Sequence, residues 1–142
     1  MFLGRNAHTV DDKGRLALPA KHRLRLTEGL VITASFERCL LVYPMDEFKL
    51  LFDKVSALPM IDAQAGILRR MLFMNASDMV PDKQNRVVVP KELREYAGIS
   101  TDAIVVGVGR WLEVWSPEAW LTQQTEIEKQ SQDRAALARL GV

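Results

Sequence analysis

The stretch Asp11-Asp12-Lys13-Gly14-Arg15-Leu16-Ala17-Leu18-Pro19 returns later in the chain as Asp82-Lys83-Gln84-Asn85-Arg86-Val87-Val88-Val89-Pro90. Each copy opens with an Asp whose carboxylate can accept backbone hydrogen bonds from residues just ahead, as in an Asx-turn. Gly14 and Asn85 fall at the same place, and Gly and Asn are the residue types that best tolerate positive φ. An Arg and three apolar residues then leave the turn as a strand, and a Pro opens the next element. Asp11, Gly14, Asp82 and Asn85 are therefore the expected turn formers. Arg15 and Arg86 stand at the base of the strands, each a fork of donors on a fixed platform.

At a spacing of 71 (82 minus 11), Phe2 matches Phe73, Pro19 matches Pro90 and Arg23 matches Arg94. Beyond one inserted residue, at 72 (110 minus 38), Arg38 matches Arg110, Leu40 matches Leu112, Tyr43 matches Trp115 and Phe48 matches Trp120. A period near seventy is too long for a solenoid unit. It predicts two half-domains related by a pseudo-twofold axis. Each half reads strand, strand, short helix, strand, strand: 3–10, 15–18, 20–26, 30–35 and 38–43, then the same plan from 80 to 115.

Helices flank this plan. In 45–58, Phe48, Leu51, Phe52 and Val55 fall at i, i+3, i+4 and i+7, the stripe of a helix buried on one side. Asp62 caps a helix over 63–72 whose expected inner face is Ile61, Ala65, Leu68 and Leu72. Ser116-Pro117-Glu118 starts a last helix, which turns polar after Ile127 and should end exposed. The expected organisation is a first module with its trailing helix (1–58), a connecting helix (59–72) and a second module with a C-terminal helix (73–142), all within one compact domain. In the last strands Trp111, Glu113 and Trp115 oppose Leu112 and Val114, and Cys39, Leu41 and Tyr43 oppose Leu40 and Val42. Both faces are apolar, so helices or a second subunit must cover the outer one.

Composition bounds the function. With 142 residues, 48% apolar and 26% charged, the chain suits a single soluble core. Neither a membrane-spanning run nor a secretory signal is read from it, and a cytoplasmic protein is expected. Cys39 is the single cysteine, which leaves no internal disulfide, and the repeat aligns it with Trp111, which suggests a packing role. His8 and His22 are isolated, and no metal-ligand spacing, nucleophile with a base, or phosphate loop is visible. No enzyme, metal, cofactor or small-molecule ligand is expected. The net charge of +1 hides an uneven distribution. Lys13, Arg15, Lys21, Arg23 and Arg25 form a stretch free of acids, whereas Lys83, Arg86, Lys91 and Arg94 are offset by Asp82, Glu92 and Glu95. Such a local field can steer a polyanion, and it can equally be a solvated helix face.

Two D-x-x-[GN]-R turns about seventy residues apart, each followed by three apolar residues and Pro, in a chain beginning Met1-Phe2-Leu3-Gly4, resemble the MraZ family over essentially the whole length. The resemblance implies an α+β fold: a pair of pseudo-symmetric AbrB-like, swapped-hairpin modules forming a mixed β-barrel with flanking helices. It implies a bacterial, cytoplasmic, nucleoid-associated regulator of transcription, linked to division and cell-wall genes and assembled as a ring homo-oligomer on double-stranded DNA with repeated elements. Asp11-x-x-Gly14-Arg15 becomes the DNA-contacting loop and Asp82-x-x-Asn85-Arg86 its second copy. Asn85 stands where the family has Gly, and Arg15 is expected to contribute more than Arg86.

Three functions fit these residues to different degrees. In the first, Arg15 and Arg86 read bases while Lys13, Lys83, Lys21, Arg23 and Arg25 meet phosphates around the Gly14 and Asn85 turns. Against it stands the plain alternative that Arg15 pairs with Asp11 and only closes the turn. The second is an antitoxin-like protein-interaction module, for which the mildly basic end 130–142 is a poor match. The third is a structural ring protein, which leaves the acid-free stretch without a purpose.

Overall fold

In the computed structural model, which describes residues 1–142, both turns form for the backbone reason given above. Gly14 has φ 78° and Asn85 φ 58°. Asp11 Oδ1 accepts from the Lys13 and Arg15 amides at 3.0 and 2.8 Å, and Asp82 Oδ1 accepts from Gln84 and Arg86 at 2.9 and 2.8 Å.

The chain runs β1 (Arg5–Thr9), β2 (Arg15–Ala17), a 3-10 turn (Ala20–His22) leading into α1 (Arg23–Leu26), β3 (Leu30–Ala34), β4 (Leu40–Pro44), α2 (Met45–Ser56) and α3 (Ala63–Met74). The second half supplies β5 (Ser77–Met79), β6 (Arg86–Val88), α4 (Lys91–Ala97), β7 (Asp102–Gly107), β8 (Leu112–Trp115), α5 (Pro117–Gln130) and α6 (Arg134–Ala138). One antiparallel sheet has the order β1-β7-β8-β4-β3-β5, and β2 pairs with β6 in a separate ribbon. The halves exchange strands: β1 joins β7, β5 joins β3, and β4 joins β8. The pseudo-twofold runs through two pairs of matching residues, Leu16 with Val87 and Leu41 with Glu113.

The expected mixed barrel is replaced by an open sheet with β1 and β5 at its edges. β2, β5 and β6 have three residues each, too few to carry a ladder around a closed circuit. The backbone pairing of the ribbon on the β1 side is an isolated bridge, from Val10 just past β1 to Leu16. Leu16 and Val87 of the ribbon, with Leu18 and Val89 just beyond its strands, nevertheless join Ile32, Val42, Leu112 and Val114 of the sheet in one core. The sheet also refines the repeat. Val31 pairs with Asp78 and Ile104 with Ala7, so β3 and β7 match at 73 (104 minus 31), with the hairpin returning to 72.

The caps act as expected. Asp62 accepts from the Gln64 and Ala65 amides, Ser116 from Ala119 behind Pro117, and Gly98 ends α4 at φ 67°. Three expectations change. Ile61 precedes its cap and is exposed, leaving Ala65, Leu68 and Leu72 as the inner face of α3. Of the α2 stripe only Val55 is buried, and Phe52 is exposed beside Phe73. Phe73 lies in α3, whereas Phe2 is buried, bridges Gly109 and meets the His22 ring edge-on at 4.9 Å. They share a spacing and no environment, because a helix precedes only the second module.

Helices cover the outer face of the central strands. Tyr43 stacks on Trp111 at 5.2 Å under Phe48 of α2, and Trp115 meets Trp120 of α5 at 5.8 Å. Cys39 is buried beside Ser35, with its thiol pKa pushed up to about 12 chiefly by burial. It is a packing residue. The chain ends exposed, with α6 as an additional short helix.

Burial, with smaller pushes from Lys21 and the N-terminal amine, holds His22 below its ordinary pKa of 6.5, and burial does the same to His8. The unfolded chain therefore takes up these protons first, and stability present above about pH 6.5 falls as pH drops below it. The urea midpoint should be lower at pH 5.5 than at pH 7.5, and His22→Leu should shrink that difference. An unchanged difference in the variant would remove His22 from the account. A second loss is expected below pH 3.8, where Asp11 and Asp82, held down first by the amides of Arg15 and Arg86, take up protons.

Candidate nucleic-acid interface

In the β2–β6 ribbon Arg15 lies opposite Val88, Leu16 opposite Val87, and Ala17 opposite Arg86. Opposed residues share a face and neighbours alternate. Leu16 and Val87 point into the core, so Arg15, Val88, Ala17 and Arg86 share the outer face. The two arginines are offset by two residues, about 7 Å along the ribbon.

Each guanidinium is held from one edge. Arg15 Nε donates to Asp11 Oδ2 at 2.6 Å and Arg86 Nε to Asp82 Oδ2 at 2.9 Å. The terminal nitrogens of both make no hydrogen bond or ion pair, and the side chains are 32% and 28% exposed. The closing role and the reading role are thus compatible. The carboxylate takes the Nε edge and leaves the paired terminal amines free.

The remaining expected residues are dispersed. Lys13 and Lys83 are exposed at the two turn tips, Lys21 extends over Gly4, and Arg23 is exposed without a partner. Arg25 instead binds Asp46 at 2.8 Å and Glu47 at 3.7 Å, so its charge is compensated at the start of α2. The acid-free stretch does not act as one field.

Each turn rests on the other module. The Arg94 guanidinium of α4 lies 3.1 Å from where a Cβ on Gly14 would sit, and Asp11 and Asp12 share a cleft with Lys91, Arg94 and Glu95. Conversely, Asn85 Nδ2 donates to Leu18 O at 3.0 Å and lies 3.4 Å from Pro19 O, at the entry to the first module's 3-10 turn. Arg94 and Val88 were not singled out from sequence. The match of Arg94 to Arg23 was the available signal for the first, and strand alternation for the second. No three His, Cys, Asp or Glu residues cluster to hold a metal, and no helix is long and apolar enough to cross a membrane.

Fold and site define a class: an internally duplicated α+β protein that displays two arginine-bearing turns from one exposed ribbon. The family model described as "MraZ protein, putative antitoxin-like" matches twice, over residues 1–71 and 72–140. The chain belongs to the MraZ family. It is 47% identical over 138 residues to a protein of Herpetosiphon aurantiacus named transcriptional regulator MraZ, covering 97% of this chain and 94% of that one. Proteins of the same name from Thermomicrobium roseum and Desulfitobacterium hafniense are 49% identical over 123 residues (87% of each chain) and 40% identical over 143 (100% of each).

Proposed function

We propose that this chain is a DNA-binding regulator of transcription that presents the outer face of its β2–β6 ribbon to the major groove. The observation that carries the reading is the pair of arginines on one face, each pinned by an Asp and each with its terminal amines unpaired. Arg is the common reader of guanine O6 and N7, and the groove admits a two-stranded ribbon. Lys13 and Lys83 at the turn tips, with the exposed Lys21 and Arg23 farther out, would serve as phosphate contacts that position without reading; Arg25, compensated by Asp46, takes no part. The name shared by the relatives supports the same role.

The finer reading follows the family resemblance. The strand exchange between halves supports the swapped-hairpin description. Open edges at β1 and β5, and exposed Leu50, Phe52, Ile67 and Met74 on α2 and α3, support association into a ring. That ring would act in the cytoplasm, on the nucleoid, at repeated elements upstream of division and cell-wall genes.

Duplex titration at fixed salt tests the site. Arg15→Ala and Arg86→Ala should each weaken specific binding by about 1–3 kcal/mol per lost bidentate contact and lower discrimination against random duplex. The second turn abuts Pro19, which leads into Arg23, so comparable losses are expected for the two variants. Unchanged discrimination in both variants would overturn the reading.

A further inference from the structure

Val89 O and Leu18 O occupy matching positions in the two modules (89 minus 18 is 71), and each receives a side-chain donor, but from different residues. Over the first turn the donor is Arg94 Nε at 3.0 Å, and its guanidinium fills the space that a Cβ on Gly14 would enter. Over the second turn the donor is Asn85 Nδ2 at 3.0 Å, from a side chain that is itself buried. A buried carbonyl left without a donor is costly, and one donor suffices. Asn85 therefore does at the second turn what Arg94 does at the first. Arg23, the match of Arg94, is exposed and makes no hydrogen bond or ion pair.

The helices at the two places differ accordingly. Arg94 N bonds to Pro90 O in α-helical spacing, whereas His22 N bonds to Pro19 O in the tighter 3-10 spacing that precedes Arg23. Turn two abuts Pro19, so Arg23 belongs by sequence to the first motif and by position to the second.

We propose that Asn85 is a prop that keeps Arg23 off the Leu18 carbonyl and free to bind a phosphate of the DNA beside the Arg86 turn. This rests on the ribbon reading above. Arg23 is a positioning contact, and Asn85 acts only through it. The chain thus has one arginine committed to structure (Arg94) and one released to the ligand (Arg23), decided by Gly or Asn at the turn.

The test is binding of a random DNA duplex over a series of salt concentrations. Arg23→Ala should reduce the slope of log affinity against log salt by about 0.9, a change of about three- to fourfold in affinity between 50 and 200 mM salt. Asn85→Gly should give the same reduction, because Arg23 can then fold onto Leu18 O, and it should add nothing in the Arg23→Ala background. Gly14→Asn should act in reverse, releasing Arg94 and steepening the slope by about 0.9. An Asn85→Gly variant with the wild-type slope, or with an equal further reduction in the Arg23→Ala background, would overturn the proposal. So would an unchanged slope in the surface variant Arg23→Ala, which does not depend on Asn85→Gly folding. If Arg15→Ala and Arg86→Ala lower discrimination while these slopes fail to move, the prop is wrong and the ribbon reading stands; if those two variants leave discrimination unchanged, the ribbon reading itself fails.

Discussion

Adding one methyl group at Gly107 is expected to drive the N-terminus out of the core. A Cβ there would lie 2.5 Å from Phe2 C and 2.7 Å from Phe2 O, and closer still to the Leu3 amide. These are backbone atoms with no rotamer to escape into. The chain is pinned at this point by Gly107 N to Gly4 O at 2.7 Å and by reciprocal bonds between Phe2 and Gly109 at 2.7 and 2.9 Å. Phe2 is 1% exposed, so its expulsion should cost about 3–5 kcal/mol, the range for deleting a core Phe. That is a large share of the roughly 5–15 kcal/mol typical of a whole domain. Urea denaturation of Gly107→Ala, Phe2→Ala and the double variant checks it. The two losses should be similar and far from additive, since both remove the same contact. A wild-type midpoint for Gly107→Ala would show that the close approach is not maintained in solution.

The second large effect concerns the number and phase of DNA elements. Two arginines about 7 Å apart along a ribbon span two or three base pairs at roughly 3.4 Å each. Mismatches at roughly 1–3 kcal/mol apiece over so short a reach cannot select a single site in a genome. In the proposed ring each further ribbon binds intramolecularly, and affinity should rise by about 10²-fold or more for each in-phase repeat. Repeats set about 10 bp apart face one side of the duplex, and moving one by half a turn should remove most of the gain. Titration of duplexes with one, two and three elements, in and out of phase at constant ionic strength, measures this. If one element binds as tightly as three, specificity comes from contacts other than the ribbon.

Local features were legible in the sequence. Asp11 and Asp82, with Gly14 and Asn85 three residues on, determine the turns through backbone geometry alone, and Asp62, Ser116 and Gly98 mark helix ends for the same reason. The duplication was legible because it is written in residue identities. Strand pairing was not, since alternation gives a strand its faces and leaves its neighbour open, so the barrel was expected where an open sheet and a ribbon formed. Phe73 shows how a matching spacing can lose its meaning when a helix stands in front of one copy only. The same limit applies at the candidate site. The placing of Arg15 and Arg86 on one face follows from strand register, and the compensation of Arg25 depends on Asp46, twenty-one residues away.

The exchange of strands between halves orders events on the ribosome. The hairpin of β3 and β4 can close as soon as it is made, but β1 needs β7, β2 needs β6, and the Phe2 bridge needs Gly109. At about 5–20 residues per second, the 107 residues added after Phe2 to reach Gly109 (109 minus 2) take roughly 5–20 s to synthesise. For that interval the nascent chain offers an unpaired β1 and an uncovered Leu16 and Phe2, the surfaces on which neighbouring polypeptides aggregate. Contacts this distant along the chain also slow folding once synthesis ends. The N-terminus, made first, is among the last parts to find its place.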